Sequence, residues 1–328
     1  MKRVLLSLIV ANISLFFISL FFGSYDLTPK ELFNSLYNID KTAQENIVLW
    51  QIRIPRALIA VLAGAGLAVA SGIFQSTFRN RLADPGFVGI APAAAFGGLL
   101  ALNFGFISND YALSLLFALF FTCITVLALF TLERHSHVSN SLLIFGIAIN
   151  SLYTALIAVF AQSSSNPQAR SFLSLSMGSL ATVTWQDFYP IAGGVLLAIA
   201  FLIFNAKRID LLYLSDLEIR TLKVKPNRIK IEAGIAAGAI IAFATTSLGV
   251  ISFIGLLVPN IVKACGIYLH RYLLLLSALV GALLLLLADT LARSLIGNLE
   301  LPVSIFLVVM GVPFLIGLLL RKKEVQSG

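Results

Sequence analysis

Apolar residues run along this chain in long blocks rather than in alternation. Such blocks cover residues 4–22, 57–78, 86–107, 111–132, 139–162, 188–206, 231–249, 250–268, 272–291 and 302–320. A helix needs about 20 apolar residues to cross a bilayer, and most of these blocks are close to that length. Barrel strands would be short and alternating, whereas these runs are continuous. Only helices and closed barrels satisfy their backbones in lipid, so helices are expected. The pattern predicts an all-α polytopic membrane protein with about ten transmembrane helices, forming a single domain over residues 1–328. The seventh and eighth blocks are the tightest, because only 39 residues separate Lys230 from His270. Gly249, Gly255 and Pro259 punctuate them, so one span is expected to be short or broken. The alternative count is nine, which would place the termini on opposite sides.

The polar segments between the blocks carry their own signals. Thr28-Pro29-Lys30-Glu31 reads as a helix start, with Thr as the cap, Pro at the first position and Glu three residues after the cap. Leu32, Phe33, Leu36 and Tyr37 give that helix one apolar stripe, suited to an interface. Residues 162–187 open with the loop-like Gln162-Ser163-Ser164-Ser165-Asn166-Pro167 and end at Trp185-Gln186-Asp187; Trp185 and the following Tyr189 fit an interfacial aromatic anchor. Residues 207–230 form a long basic connection. Within it, Ser215-Asp216-Leu217-Glu218 looks like a capped helix with acid in its first turn, and Pro226 closes the element. Leu217, Ile219, Leu222 and Val224 make a small apolar patch among the charges. A segment that only reversed direction would not need a capped helix, so this one reads as a surface offered to a partner.

Composition agrees with lipid as the surrounding solvent. The chain is 59% hydrophobic and 12% charged, with a mean hydropathy of +0.96, whereas globular domains are about a quarter charged. Lys and Arg set the orientation. With ten spans, six basic residues (Lys30, Lys41, Arg53, Arg56, Arg170 and Arg293) fall outside, and the other 17 of the 23 fall inside. Both termini are therefore expected in the cytoplasm. The net charge of +8 is explained by basic loops facing anionic lipid, with no need for nucleic acid. Met1-Lys2-Arg3 before an apolar run resembles a signal peptide, but the run is too long and lacks a small-x-small cleavage site. It is expected to stay as the first span. Cys123 and Cys265 have no disulfide or metal spacing.

Catalytic signatures are missing from the sequence. There is no GxxxxGK[ST] loop to cradle a nucleotide, and no pair of acids sits deep in a span as a proton relay requires. Asp289, at the outer end of the ninth block, is expected to be exposed at the interface. His135 and His137 have no third ligand nearby. No cofactor or metal is implied. Energy must come from an ion gradient or from another subunit. The small residues Gly64, Gly66, Ala68, Ala70 and Gly72, and Ala91 to Ala95 with Gly97 and Gly98, are read as close-packing positions.

Several motifs, in order, carry a resemblance. They are Arg53-Ile54-Pro55-Arg56; Gln75 with Arg79-Asn80-x-Leu82-Ala83-Asp84-Pro85-Gly86 and Gly89; Gly178-Ser179-Leu180; Gly255-Leu256-Leu257-Val258-Pro259; Ala288-Asp289-Thr290-Leu291-Ala292-Arg293; and Glu300-Leu301-Pro302-Val303 before Gly311-x-Pro313-Phe314. Over essentially its whole length the chain resembles the FecCD-type permeases. These are the membrane subunits of type II ABC importers that move iron–siderophores, haem and cobalamin.

The resemblance implies a homodimer or close heterodimer of this chain, two cytoplasmic ABC ATPase subunits and an external solute-binding protein. It implies that Arg53, Arg56 and Arg293 are outer-face residues pairing with acids of the binding protein. It implies that Ser215, Asp216, Leu217, Arg220, Thr221, Leu222, Lys223 and Val224 form the coupling segment seated in the ATPase. It also places an inner gate near Ser139, Asn140 and Ser141. Two departures stand out: the family's usual Leu-Gly-Val step reads Leu222-Lys223-Val224, and Asn260 stands where a His is common. The expected function is an ATP-driven importer permease in the bacterial inner membrane, not itself an enzyme, with an iron chelate as cargo. Haem, cobalamin or an oxyanion such as molybdate are the alternatives within the family. An ion-coupled transporter and a non-transporting scaffold are the alternatives outside it.

Overall fold

A computed structural model describes residues 1–23, 25, 27–37, 43–103, 111–135, 141–163, 178–295 and 301–326. Each of the ten apolar blocks holds a helix. In chain order the helices are α1 (Lys2–Phe21), the short α2 (Pro29–Tyr37) and α3 (Gln44–Ile47), then α4 (Ile54–Thr77), α5 (Ile90–Asn103), α6 (Tyr111–His135) and α7 (Ser141–Ser163). After these come α8 (Trp185–Phe204), the short α9 (Ala206–Ile209) and α10 (Asp216–Thr221), then α11 (Pro226–Leu248), α12 (Ile254–Ala264), α13 (His270–Ser294) and α14 (Val303–Gln326). A π-helical turn, Val48–Arg53, leads into α4, and a 3-10 turn, Asp210–Tyr213, precedes α10.

Among the described residues, seven helices are long and apolar enough to cross a membrane: α1, α4, α6, α7, α8, α11 and α13. The other three blocks hold shorter apolar helices. The expected break is α12, with only 11 residues. It follows Gly249, whose φ of +72° ends α11. The third block is cut at its start, because residues 86–89 belong to a folded turn and α5 begins at Ile90.

The bundle is built around α4. Its small residues let α13, α11, α8 and α12 all pack on it. At the crossing with α13, Gly64 and Gly281 face each other so closely that a Cβ on either would run into the other's carbonyl oxygen. Small residues at a helix crossing permit this approach. By contrast α1, α7 and α8 are mostly uncovered and present Leu6, Ile13, Leu152, Val159, Leu197 and Phe204 outward. In a membrane protein such faces meet lipid or a second subunit.

Both predicted caps are present. The Thr28 hydroxyl accepts from Glu31 N–H, and the Glu31 carboxylate accepts from Thr28 N–H. The same reciprocal pair links Ser215 and Glu218. Trp185 begins α8 behind its Thr184 cap, and its indole donates to the Trp50 carbonyl at 2.7 Å, tying α8 to the turn before α4.

Candidate functional site

Two polar constellations lie at opposite ends of α4. The first surrounds its N-terminal end. Arg56 grips Asp289 of α13 through Nε at 2.9 Å and a terminal nitrogen at 2.8 Å, both on one carboxylate oxygen. Arg293, one turn beyond Asp289, approaches the other oxygen at 3.7 Å and donates to the Ser19 carbonyl at 2.5 Å. Arg53 donates to the carbonyls of Leu20, Phe21 and Tyr25. Two cations therefore serve the last carbonyls of α1, where a helix leaves its acceptors unsatisfied and its dipole is negative.

This corrects one expectation. Asp289 is fully buried rather than exposed at an interface, and Arg53, Arg56 and Arg293 are only 3%, 4% and 4% exposed. The guanidinium groups turn inward because α1, α4 and α13 meet there and supply an acid and bare carbonyls. The sequence places these residues at the ends of their helices but says nothing about partners 28 to 274 positions away. A signal was present: an acid one turn before Arg293 at the end of an apolar helix calls for a basic partner.

The second constellation lies at the C-terminal end of α4, and it gives the Arg79 to Gly86 segment a mechanical role. Helix α4 ends with Arg79 in the left-handed region, φ +48°. Arg79 N–H returns to Ser76 O and Asn80 N–H to Gln75 O, the paired bonds of a Schellman ending. This turn points the Arg79 side chain at the segment that leads into α10. Its guanidinium donates to the carbonyls of Leu212 and Leu214 and pairs with Asp216 at 2.7 Å. The other Asp216 oxygen meets Lys230 of α11 at 3.5 Å, and Lys230 reaches Glu133 of α6 at 3.0 Å. One chain of charges thus joins α10 to α4, α11 and α6.

The chain then folds back against α12. The Asn80 side chain accepts from Leu82 N–H, and Asp84 accepts from Gly86 N–H, both at 2.8 Å. Asp84 is buried and also accepts from the backbone of Leu256 in the first turn of α12. Asn260 donates to the Arg81 carbonyl at 3.0 Å, so this residue holds the folded-back loop. Gln75 bridges α4 to α12, donating to the Gly255 carbonyl and accepting from Lys263.

Helix α10 itself presents charged and apolar side chains together. Its Ser215 backbone and hydroxyl hold Glu218 below the ordinary glutamate range. Ile219 is buried, while Leu217 and Leu222 are 76% and 54% exposed. Only part of the expected apolar patch therefore faces outward, joined by Tyr213 and Leu214. The Leu222-Lys223-Val224 step keeps the turn that glycine would favour. Lys223 sits at φ +58°, with Lys223 N–H to Arg220 O and Val224 N–H to Ile219 O. Behind α10, the His270 ring of α13 stacks on Tyr213 and bridges Asp210 and Ser76. Burial alone would raise Asp210, but the hydrogen bonds from His270 outweigh it and hold the carboxyl below its usual range.

Of the three gate positions, Ser139 and Asn140 lie outside the described residues. Ser141 is the first residue of α7. His137 also lies outside the described residues. Among the described residues there is no cluster of three or more His, Cys, Asp or Glu side chains able to hold a metal ion. Cys265 is exposed just past α12 rather than inside a span.

Comparison with known proteins adds four findings. A model of the FecCD transport family matches residues 8–321. The hemin transport system permease protein HmuU of Yersinia pestis is 36% identical over 304 residues, covering 90% of each chain. The iron-uptake system permease protein FeuC of Bacillus subtilis is 31% identical over 321 residues, covering 95% of each. A solved structure of an inward-facing, metal-chelate type ABC transporter superposes with a TM-score of 0.84 at 30% identity, covering 98% of this chain and all of that one.

Proposed function

The chain belongs to the FecCD transport family and is the permease subunit of an ABC importer, and from that premise we propose that it carries haem or another iron chelate into the cytoplasm. Hydrolysis is left to separate ATPase subunits. The carboxylate of Asp216 is the observation that carries the coupling part of this reading. It lies at the start of an exposed capped helix and is held from both sides by Arg79 and Lys230. Displacement of α10 by a bound ATPase pulls on the end of α4, the start of α11 and, through Lys230, the end of α6. The central helix of the bundle is thereby moved from its inner end.

The excess of basic residues on the α10 face supports placing that face in the cytoplasm. The opposite face, around the Arg56–Asp289–Arg293 cluster, is the proposed landing surface for the solute-binding protein. There the three arginines hold the ends of α1, α4 and α13 in place, and direct pairing with a partner's acids would require them to leave their present acceptors. Two copies of the chain, facing each other through their uncovered helices, enclose the path.

Co-reconstitution with the cognate ATPase and binding protein tests the reading. Uptake of hemin or ferric chelate into liposomes should require ATP and all three components. Uptake that persists without ATP would refute it, and uptake of cobalamin or molybdate in place of iron would replace the cargo assignment. Asp216→Asn should leave ATPase subunits bound but lower uptake per ATP hydrolysed. An unchanged ratio would remove Asp216 from the coupling path.

A further inference from the structure

The last turn of α4, the last turn of α12 and the 3-10 turn before α10 line an open cavity of about 270 Å³. Its wall carries Asn80, Arg81, Ser76, Tyr213 and Lys263, with the bases of Gln75 and Arg79 beside them. Three of the lining residues are cations, and no lining residue is acidic. Arg79 has its counter-charge in Asp216. Lys263 and Arg81 are different, since neither forms an ion pair with a carboxylate among the described residues. Lys263 is 6% exposed, and its ammonium donates at 2.8 Å to the neutral Gln75 amide oxygen. That amide is fixed by its own bond to Gly255 O, so it cannot turn away.

A buried ammonium with only an amide for company is costly, because desolvation of the charge is not offset by an opposite charge. The remaining groups in the wall sharpen the demand. The Ser76 hydroxyl is taken up by Gly72 O and the His270 ring, whose other nitrogen faces Asp210. That acid is therefore already engaged. The Tyr213 hydroxyl donates to the Tyr268 carbonyl. The Asn80 side-chain oxygen is used by Leu82 N–H, which leaves its amide nitrogen to donate. The donors left over are the Lys263 ammonium, the Arg81 guanidinium and the Asn80 amide.

We propose that this cavity is an anion site that takes a phosphate group, held by Lys263 and Arg81. The inference rests on the orientation proposed above. In that orientation the site lies where helix ends meet the inner leaflet, with Tyr213 and Tyr268 at its rim. Basic pockets between spans on that side suit anionic headgroups. A phosphate in solution has the same chemistry, and the test separates the two sources.

The assembled transporter, permease with its ATPase, is delipidated in detergent, and native mass spectrometry counts the phospholipid that stays bound. Phosphatidylglycerol and cardiolipin are added back as mixed micelles, and inorganic phosphate is titrated in a parallel arm. The wild type should retain about one anionic lipid per permease chain. Lys263→Met and Arg81→Ala should each weaken retention at least tenfold, whereas Arg228→Ala, an exposed base on the same face, should not. Displacement of the lipid by millimolar phosphate supports the same site filled from solution.

Equal retention by wild type and both variants overturns the proposal. So does loss of ATPase association without loss of lipid, which would assign the counter-charge to a carboxylate of the ATPase. Orientation is read separately in a Cys123→Ser background. Cys265, exposed beside this site, should react with an impermeant maleimide only after cells are permeabilised. Labelling of intact cells would refute the orientation while leaving the binding result to stand or fall by itself.

Discussion

Asp289→Asn should be among the most damaging single substitutions in the bundle. The change keeps the side-chain shape and removes one charge. In the wild type that charge faces Arg56 at 2.8 Å and Arg293 at 3.7 Å, with the carboxylate fully buried. Breaking a buried pair by neutralising one partner costs about 3–5 kcal/mol, because a desolvated charge is left behind. The lower figure applies here, since an Asn oxygen can still accept one bond and the Ser19 carbonyl still holds Arg293. A loss of about 3 kcal/mol lowers the folding equilibrium constant roughly a hundredfold. Reversible unfolding in mixed micelles reads this directly. A double-mutant cycle with Arg56→Met then isolates the pair, and contacting charged groups should show a coupling of about 1–3 kcal/mol. A coupling below about 0.5 kcal/mol would show that Arg56 and Asp289 are neighbours without mutual dependence, and the tie between α4 and α13 would then have to rest on packing alone.

The helix crossing provides a second test. Gly64→Ala should cost about 1–3 kcal/mol by forcing α4 away from α13, and adding Gly281→Ala should cost less than its single-mutant value because the gap already exists. Additive losses in thermal or denaturant unfolding would contradict the shared contact. Lys223→Gly should stabilise the end of α10 by up to about 1 kcal/mol, since the left-handed conformation costs an L-residue about 1–2 kcal/mol and glycine returns part of that in the unfolded chain. Hydrogen exchange of the Val224 amide should slow, and faster exchange would refute the argument. The Ser215 backbone amide, then its hydroxyl, hold Glu218 below the ordinary glutamate range. The capping box therefore contributes stability above that range and loses it as the pH falls through the lowered value. Ser215→Ala should move the Glu218 titration upward in carboxyl NMR, and an unmoved titration would show that the hydroxyl plays no part.

Much of the bundle can be read from the order of residues, because long apolar blocks leave a chain in lipid few choices. Thr28 and Ser215 announced their helices through local rules that involve residues three positions apart, and the structure follows both. The short α12 was visible as a shortage of residues between Lys230 and His270. What stayed hidden depends on pairing at a distance. Arg79 and Asp216 are 137 positions apart, and nothing local says that the α4 terminus turns its arginine toward α10. The burial of Arg53, Arg56 and Arg293 was hidden for the same reason, since charge count and position fix the end of a helix but not what meets it there. Lys223 shows a different limit. The backbone takes a left-handed turn at a residue other than glycine, so the surrounding bonds, rather than the residue, determine that turn.

The brevity of α12 bears on how the protein is made. Eleven residues span only about 16 Å at 1.5 Å per residue, roughly half the ~30 Å hydrocarbon core. Such a segment carries too little apolar length to enter the bilayer unaided during synthesis. Its first turn is held by Asp84, and its middle by Asn260 on the Arg81 carbonyl. Both anchor points belong to a loop translated some 170 residues earlier. The early loop therefore acts as a receptacle waiting for a later piece, and the order of translation becomes part of the assembly pathway. Damage to residues 80–86 should then surface as misinsertion of a region made long afterward.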